Sequence, residues 1–326
     1  MSIAILKPGL LTTIQDAGRF GYQHLGINPS GAMDIRSMQV ANALVLNKLD
    51  EAVIEFFFPA PIIQFNQSTF IALSGADFSA EIDGISIPIN HPVFVPANSV
   101  LQFSSKKTKQ IGYLSVQGGF ELSEWLNSNS TNLKVGAGGY EGRAFRTSDI
   151  VGLNIQSIKS ISNSICSVLP WKASVEQFYT DHALRFIPGN EFNLFNDESK
   201  QLFCSSSFKI LPQSDRMGYR LSGPTLQFSN PIEMISSAVT RGTIQLLPTG
   251  QCIILMADHQ TTGGYPRIGH IISSDFSNLA QKGTSDQLYF SETTMELSQK
   301  LLHDQEQHLQ QLKNACILQL DAYHRH

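Results

Sequence analysis

The sequence predicts a mainly β protein in two strand-rich parts, with a few short helices and a helix at the C-terminal end. Three observations predict it. Across residues 52–103, short runs rich in Phe, Ile and Val are broken by Gly, Pro, Asn or Asp every few positions, the spacing of a barrel or sandwich. A second series of such runs begins near residue 184. The length of 326 residues gives material for two cores at roughly 100 to 200 residues each.

Taken in order, Ala4-Ile5-Leu6 reads as a short strand turned by Pro8-Gly9 ahead of residues 10–14. A glycine-punctuated loop, Asp16-Ala17-Gly18-Arg19-Phe20-Gly21-Tyr22-Gln23, runs on through Pro29-Ser30-Gly31. A loop of that length with charged and aromatic side chains is a functional candidate. Asp34 is placed to cap a helix whose Met38, Ala41, Leu44 and Val45 share one face, with Asn47 as its stop. Strand-like runs then fill 52–103, and 111–117 adds another that ends at Gly118-Gly119. Gly136-Ala-Gly-Gly-Tyr-Glu-Gly142 misses the dinucleotide spacing, because Glu141 stands where the last glycine is needed.

Residues 155–167, rich in Ser, Asn and Ile without an amphipathic period, are the expected linker. The expected domains are therefore 1–165 and 166–292, with a helical extension over 293–326. In the second part, 184–187 reads as a strand turning at Pro188-Gly189, and 192–203 as a short helix with Phe195, Ser199 and Leu202 on one face. Strands are expected at 208–211, 226–228, 243–247 and 252–256. Ser274 or Asp275 can cap a helix that buries Phe276, Leu279 and Ala280 and ends at Gly283. The tail is helical by spacing, with Leu297, Leu301, Leu309, Leu312 and Cys316 on one face, suited to packing on the body or on a second copy. Two echoes link the halves: Asp16-Ala-Gly-Arg19-Phe-Gly-Tyr22 with Asp215-Arg216-Met-Gly-Tyr219, and Gly138-Gly139-Tyr140, with Asp149 downstream, with Gly263-Gly264-Tyr265, with Asp275 downstream. They suggest two related β-domains.

Charge excludes several classes. The net charge is −4, and the one tight basic cluster, Lys106-Lys107-Thr108-Lys109, sits in a polar break, so nucleic acid and membranes are not expected partners. Cys166, Cys204, Cys252 and Cys316 are far apart and read as free thiols of a reducing cytoplasm. No apolar window approaches a membrane span. The P-loop, G-x-S-x-G and H-E-x-x-H patterns do not occur. His303, His308, His324 and His326 form no i, i+4 pair with a carboxylate partner, so no metal is expected.

The stretch 253–272, IILMADHQTTGGYPRIGHII, is where chemistry is densest. Asp258 can act as a general base or orient a neighbour, and His259 can move protons near neutral pH. Arg216 and Arg267 can clamp a carboxylate or phosphate. The amides and hydroxyls of Thr261, Thr262, Gly263 and Gly264 can hold an oxyanion. Each has an ordinary alternative: a polar hairpin loop between two strands, with Arg216 and Asp258 satisfying turn amides and each other, and Tyr219 and Tyr265 packing.

The motifs PGLLTTIQDAGRFGYQHLGINPSGAMD (8–34), AN-A-LV (41–45), SDRMGYRLSGP (214–224), GTIQ (242–245) and LMADHQTTGGYPRI (255–268) carry a resemblance. The chain resembles the family of C-type subunits of 5-oxoprolinase, also called the KipI antagonist or biotin-dependent carboxyltransferase family, similar to the second half of allophanate hydrolase-type carboxyltransferase domains. The resemblance implies two cyclophilin-like β-barrel domains. It implies a hydrolase of a cyclic amide, the ATP-dependent opening of 5-oxoproline to glutamate, in a hetero-oligomer where a B-type (KipI-like) subunit helps to form the site and an A-type subunit is the third member. ATP would be used by the complex, with no cofactor bound covalently to this chain. Catalytic roles are implied for Asp258, His259, Gln260 and Arg216. Substrate contacts are implied for Arg19, Gln23, Arg143, Tyr219, Gln245, Thr261, Thr262, Gly263, Gly264, Tyr265 and Arg267. Two alternatives stand beside it: a regulatory antagonist of a KipI-like kinase inhibitor, and a carboxyltransferase acting on a small amide with biotin supplied in trans. The chain departs from the family pattern at His259, where Arg is usual, at Asn127-Ser-Asn129-Ser-Thr131, where G-S-R-S-T is usual, and at Gly283-Thr-Ser-Asp286, where Pro-Gly-Asp is usual.

Overall fold

A computed structural model describes residues 1–154, 165–179, 183–230 and 232–323, with side chains to position 320. The expected linker lies outside the described residues up to position 164, as do His324 and His326. Strands dominate, and the chain divides into two compact units, each discontinuous in sequence. One comprises Met1–Arg19, Asp34–Val175 and Glu306–His326; the other comprises Phe20–Met33 and Glu176–Gln305.

The first unit is built on two six-stranded sheets. Ser2–Lys7 pairs antiparallel with both Ile62–Phe65 and Ile150–Gly152, and the long strands Thr69–Asp77 and Thr108–Val116 pair with each other. Alternate side chains such as Ile3, Ile5, Ile63 and Phe65 turn inward to a shared apolar core, as period-2 patterning demands. The helix Ile35–Leu44 begins as its sequence suggests, with Asp34 Oδ1 accepting from Ser37 N at 3.0 Å. It stops before Asn47: Leu46 turns into the left-handed region at φ 59°, and Asn47 N closes on Asn42 O at 3.0 Å. Beneath it, the Tyr113 hydroxyl donates to the buried Glu55 carboxylate at 2.7 Å and accepts from Asp34 N at 2.7 Å.

The second unit is built on an eight-stranded sheet, in the order Gln287–Leu288, Phe208–Ile210, Gly218–Ser222, Cys252–Leu255, Thr243–Leu246, Arg267–Ile271, Leu184–Pro188 and Phe290–Glu292, beside a two-stranded ladder. Its two edge strands are separated in sequence by Tyr289 alone, so the sheet nearly closes into a barrel, which removes most of its free edge. The interior is aromatic: Phe203 stacks on Phe290 with ring centroids 4.7 Å apart, and Phe186 meets Phe203 edge-on at 5.1 Å.

Three local expectations are corrected here. The helix read over 192–203 is split: Phe192–Leu194 is a single tight turn, Phe195 bridges to Phe228, and Asp197–Ser205 starts afresh with Asn196 accepting from Ser199 N at 2.7 Å. A capping residue in the middle of the periodic run outweighs the period. Residues 226–228 contribute that single bridge rather than a strand. Asp275 does not cap Phe276–Ala280; its carboxylate instead takes Arg185 N at 2.8 Å and Arg185 Nε at 3.1 Å.

The final helix, Met295–Tyr323, buries Leu309 and Cys316 while Leu297 stays exposed. Among the described residues, no helix is long and apolar enough to cross a membrane.

Candidate functional site

The strands on either side of the polar stretch do not form a hairpin. Cys252–Leu255 and Arg267–Ile271 both pair antiparallel with Thr243–Leu246, on its opposite sides. They therefore run in the same direction, and residues 256–266 must cross the face of the intervening strand to join them, as parallel neighbours require. On the way, Thr261 O accepts from Val239 N at 3.1 Å, and Thr262–Gly263 forms a short ladder with Ser237–Ala238.

This crossing fixes who meets whom. Arg216 is buried, and it holds Asp258 bidentately, Nε to Oδ2 at 2.8 Å and Nη2 to Oδ1 at 3.1 Å. Its Nη2 also donates to Gly31 O at 2.7 Å, and Asp258 N donates to Arg216 O at 2.7 Å. Arg241 likewise donates to Ala32 O at 3.0 Å and to Met33 O, with its guanidinium 5.0 Å from the Phe276 ring centroid. Two arginines thus grip successive carbonyls of the 31–33 segment within one unit, which accounts for the presence of that N-terminal stretch in the second unit.

His259 is 2% exposed, and its Nδ1 lies 2.6 Å from Gln260 O. A carbonyl only accepts, so Nδ1 carries the proton in this contact. Burial, helped by the Arg241 charge, pushes the imidazole pKa below its usual value, so the ring is neutral at neutral pH with its lone pair on Nε2. Gln260 and Gln245 approach each other's neighbourhood around Gly263: a Cβ there would lie 2.6 Å from Gln245 Nε2 and 3.5 Å from Gln260 Nε2. Gly263 is needed for this close approach, not for a left-handed turn.

Arg267 is bound to Glu191, through Nη2 at 3.2 Å and Nε at 3.3 Å. Tyr219 is buried, with its hydroxyl donating to Ala280 O at 3.2 Å. Tyr265 is 44% exposed, and Gln23 caps its own turn by accepting from Gly21 N at 2.9 Å. Asp258, His259, Gln260, Arg216, Gln245 and the 261–267 run all belong to the second unit, as does Gln23.

Arg19 and Arg143 belong to the first unit. Arg19, 1% exposed, lies 4.5 Å over the Trp125 ring and donates to Ser130 O. Asp16 organises the same loop, accepting from Ser128 Oγ at 2.8 Å, from Gly18 N at 2.8 Å, and from Asn129 N and Ser130 Oγ. Asn127 has φ 58°, a conformation asparagine tolerates better than most residues, which explains how it serves where the family pattern has glycine. Arg143 is paired with Asp149 at 2.7 Å and with Glu141, and its hydrogen bonds hold the Asp149 carboxyl below the usual carboxylate range.

One sequence echo has a structural counterpart and the other does not. Asp16 and Asp215 each accept from the N–H two residues on, and the nearby Arg19 and Arg216 each donate to a distant carbonyl. Gly138 and Gly139, by contrast, are left-handed at φ 71° and 56°, whereas Gly263 lies in a strand.

Sequence reasoning missed Arg241, Glu191 and Arg220. The first stands immediately before the GTIQ motif, which was a usable signal. Arg220 lies inside the SDRMGYRLSGP motif, a signal of the same kind, whereas Glu191 gave none, because an acid in a turn is ordinary. Among the described residues, no three His, Cys, Asp or Glu side chains converge as a metal site, and burial pushes the Cys252 thiol up to about 12.

The comparisons agree with this architecture. The family model described as carboxyltransferase domain, subdomain A and B, matches residues 25–292. The chain is 34% identical to the C-type subunit of the Haemophilus influenzae 5-oxoprolinase, over 95% of this chain and 97% of that one. It is 32% identical to the corresponding C-type subunit of the Escherichia coli 5-oxoprolinase, again over 95% and 97%. Among solved structures it is similar to the urea amidolyase of K. lactis, with a TM-score of 0.85 at 24% identity over 95% of this chain. That likeness is one of fold, and this chain spans 20% of that protein.

Proposed function

Because the chain belongs to the family of carboxyltransferase domains, subdomains A and B, we propose that it is the C-type subunit of a 5-oxoprolinase, contributing to the ATP-dependent opening of 5-oxoproline to glutamate in the cytoplasm. The observation that carries the reading is the similarity to two 5-oxoprolinase subunits of this type, at about a third identity over nearly the whole of both chains. In this reading the site is completed by a B-type subunit, and the complex by an A-type subunit. ATP is handled without a P-loop in this chain.

The geometry supports a division of roles. Both Asp258 oxygens face Arg216, so this pair orients the crossing segment rather than taking a proton from substrate. His259, neutral with its lone pair on Nε2, is the better proton acceptor of the two. Gln245, Gln260 and the 261–265 backbone are the substrate-facing polar groups.

The test is co-expression of the three subunits and measurement of glutamate formed from 5-oxoproline with ATP. Activity that requires this chain, and falls at least tenfold in Asp258→Ala and Arg216→Ala, is the expected result. A complex with full turnover in both variants would sink the site; a complex with no turnover under any condition would sink the activity.

The family description also favours a second reading, a carboxyltransferase that acts on a small amide. In this reading biotin is supplied in trans, on a carrier protein. Failure to bind a biotinylated carrier protein counts against it.

A further inference from the structure

On the face of the second unit's sheet that the polar segment crosses, one row of paired residues runs across four strands: Arg220 beside Ile253, Ile253 beside Gln245, and Gln245 beside Arg267. The row follows from strand alternation. Tyr219 and Leu221 turn into the core, which leaves Gly218 and Arg220 on the other face, and Ile244 and Leu246 leave Gln245 there too. Arg220, Gln245, Ile253, Leu255, Gln260 and Tyr265 are among the residues that line a cleft of about 460 Å3 on this face.

Two groups in the cleft have no partner. Gln245 is 1% exposed, yet its Oε1 accepts no hydrogen bond, while its Nε2 makes a long contact of 3.4 Å with Tyr265 O. A buried carboxamide oxygen without a donor is rare, because desolvation is uncompensated. Arg220 makes no ion pair or side-chain hydrogen bond among the described residues, whereas Arg216, Arg267 and Arg143 each hold a carboxylate. Asp215 at the rim already accepts from Met217 N at 2.8 Å and Gly218 N at 3.2 Å.

We infer that this cleft binds a small molecule carrying both a carboxylate and an amide N–H, with Arg220 taking the carboxylate and Gln245 Oε1 accepting from the N–H. A guanidinium fork matches a carboxylate, and an orphaned carbonyl oxygen matches a lactam N–H. The walls of Ile253, Leu255 and Pro248 suit the methylenes of a small ring. The inference deepens the reading above in its choice of 5-oxoproline as the probe, and rests on the cleft for the rest. It assigns Arg220, a strand residue outside the polar stretch, to the ligand.

The experiment measures the dissociation constant of 5-oxoproline by calorimetry, for the chain and for the three-subunit complex, alongside KM for glutamate formation. The comparison ligands are 2-pyrrolidone, which lacks the carboxylate, and proline, which lacks the amide. Arg220→Gln, at an exposed strand position, is expected to weaken 5-oxoproline about tenfold or more and to leave 2-pyrrolidone unchanged. Gln245→Leu is expected to weaken 5-oxoproline and 2-pyrrolidone together; circular dichroism checks its fold. An active complex whose KM is unmoved by Arg220→Gln overturns the cleft and leaves the activity standing. Arg220-dependent binding by a chain whose complex forms no glutamate upholds the cleft and overturns the activity. No binding and no turnover overturn both.

Discussion

Removing the Asp258 carboxylate leaves a buried cation without its counter-charge, and the size of the effect follows from the geometry. Arg216 is 6% exposed and gives two of its hydrogen bonds to Asp258, with a third to Gly31 O. In Asp258→Ala the guanidinium stays buried without its carboxylate, a change that costs about 3–5 kcal/mol when one partner of such a pair is deleted. At about 1.4 kcal/mol per tenfold, this speeds local opening by roughly two to three and a half orders of magnitude. The readout is native-state hydrogen exchange of peptides over 218–222 and 252–255, because Gly218 pairs with Leu255 beside the site. The double variant Arg216→Met with Asp258→Leu removes both charges and is expected to exchange far more slowly than Asp258→Ala. Acceleration below about tenfold in the single variant, or a double variant as labile as the single, refutes the view that the pair is structural.

Two other outcomes are expected. His259 is neutral in the fold at pH values where an unfolded histidine would be protonated, so the unfolded state binds more protons as pH drops below about 6.5. Stability is therefore level above about pH 7 and declines as acidity increases; the urea midpoint should fall less between pH 7.5 and 5.5 in His259→Gln than in the native chain, with His270, shifted the same way, supplying the remainder. An equal fall in both proteins contradicts the buried-neutral assignment. Gly139→Ala should lower the melting temperature by several degrees, because φ 56° costs an L-residue about 1–2 kcal/mol and the new methyl meets Thr131. Gly264→Ala, at the echoing position, meets only Ser236 Oγ at 3.3 Å and should melt close to the native chain; matching losses would show that the two glycine turns are equivalent after all.

The legible parts of the chain were those whose cause is local. Asp34 caps its helix from three residues away, and the Phe, Ile and Val runs over 52–103 carry their own period. What depends on distant pairing could not be read. Residues 252–255 and 267–271 look like the arms of a hairpin until a third strand, Thr243–Leu246, is found between them, and nothing near the polar stretch announces that insertion. The same holds for charge. Arg216 meets Asp258 across 42 residues and Gly31 across 185, while Arg267 meets Glu191 across 76. From residue types alone, these arginines and Asp258 are the natural choices for a ligand, because a polar loop displays them together. Once their partners are known they are the least available groups in the unit, since a guanidinium already bidentate on a carboxylate must lose that contact before it can take another. Arg220 and Gln245 invert the pattern. Each sits in a strand, where residue type alone says little: Gln245 entered the expected site only through the family resemblance and Arg220 did not enter it, yet they retain the unmatched acceptor and the unmatched charge on one face of the sheet. Choosing ligand contacts by unmet hydrogen-bonding capacity rather than by residue type moves the site from the loop to the strand face beneath it, and Arg220→Gln separates the two placements directly.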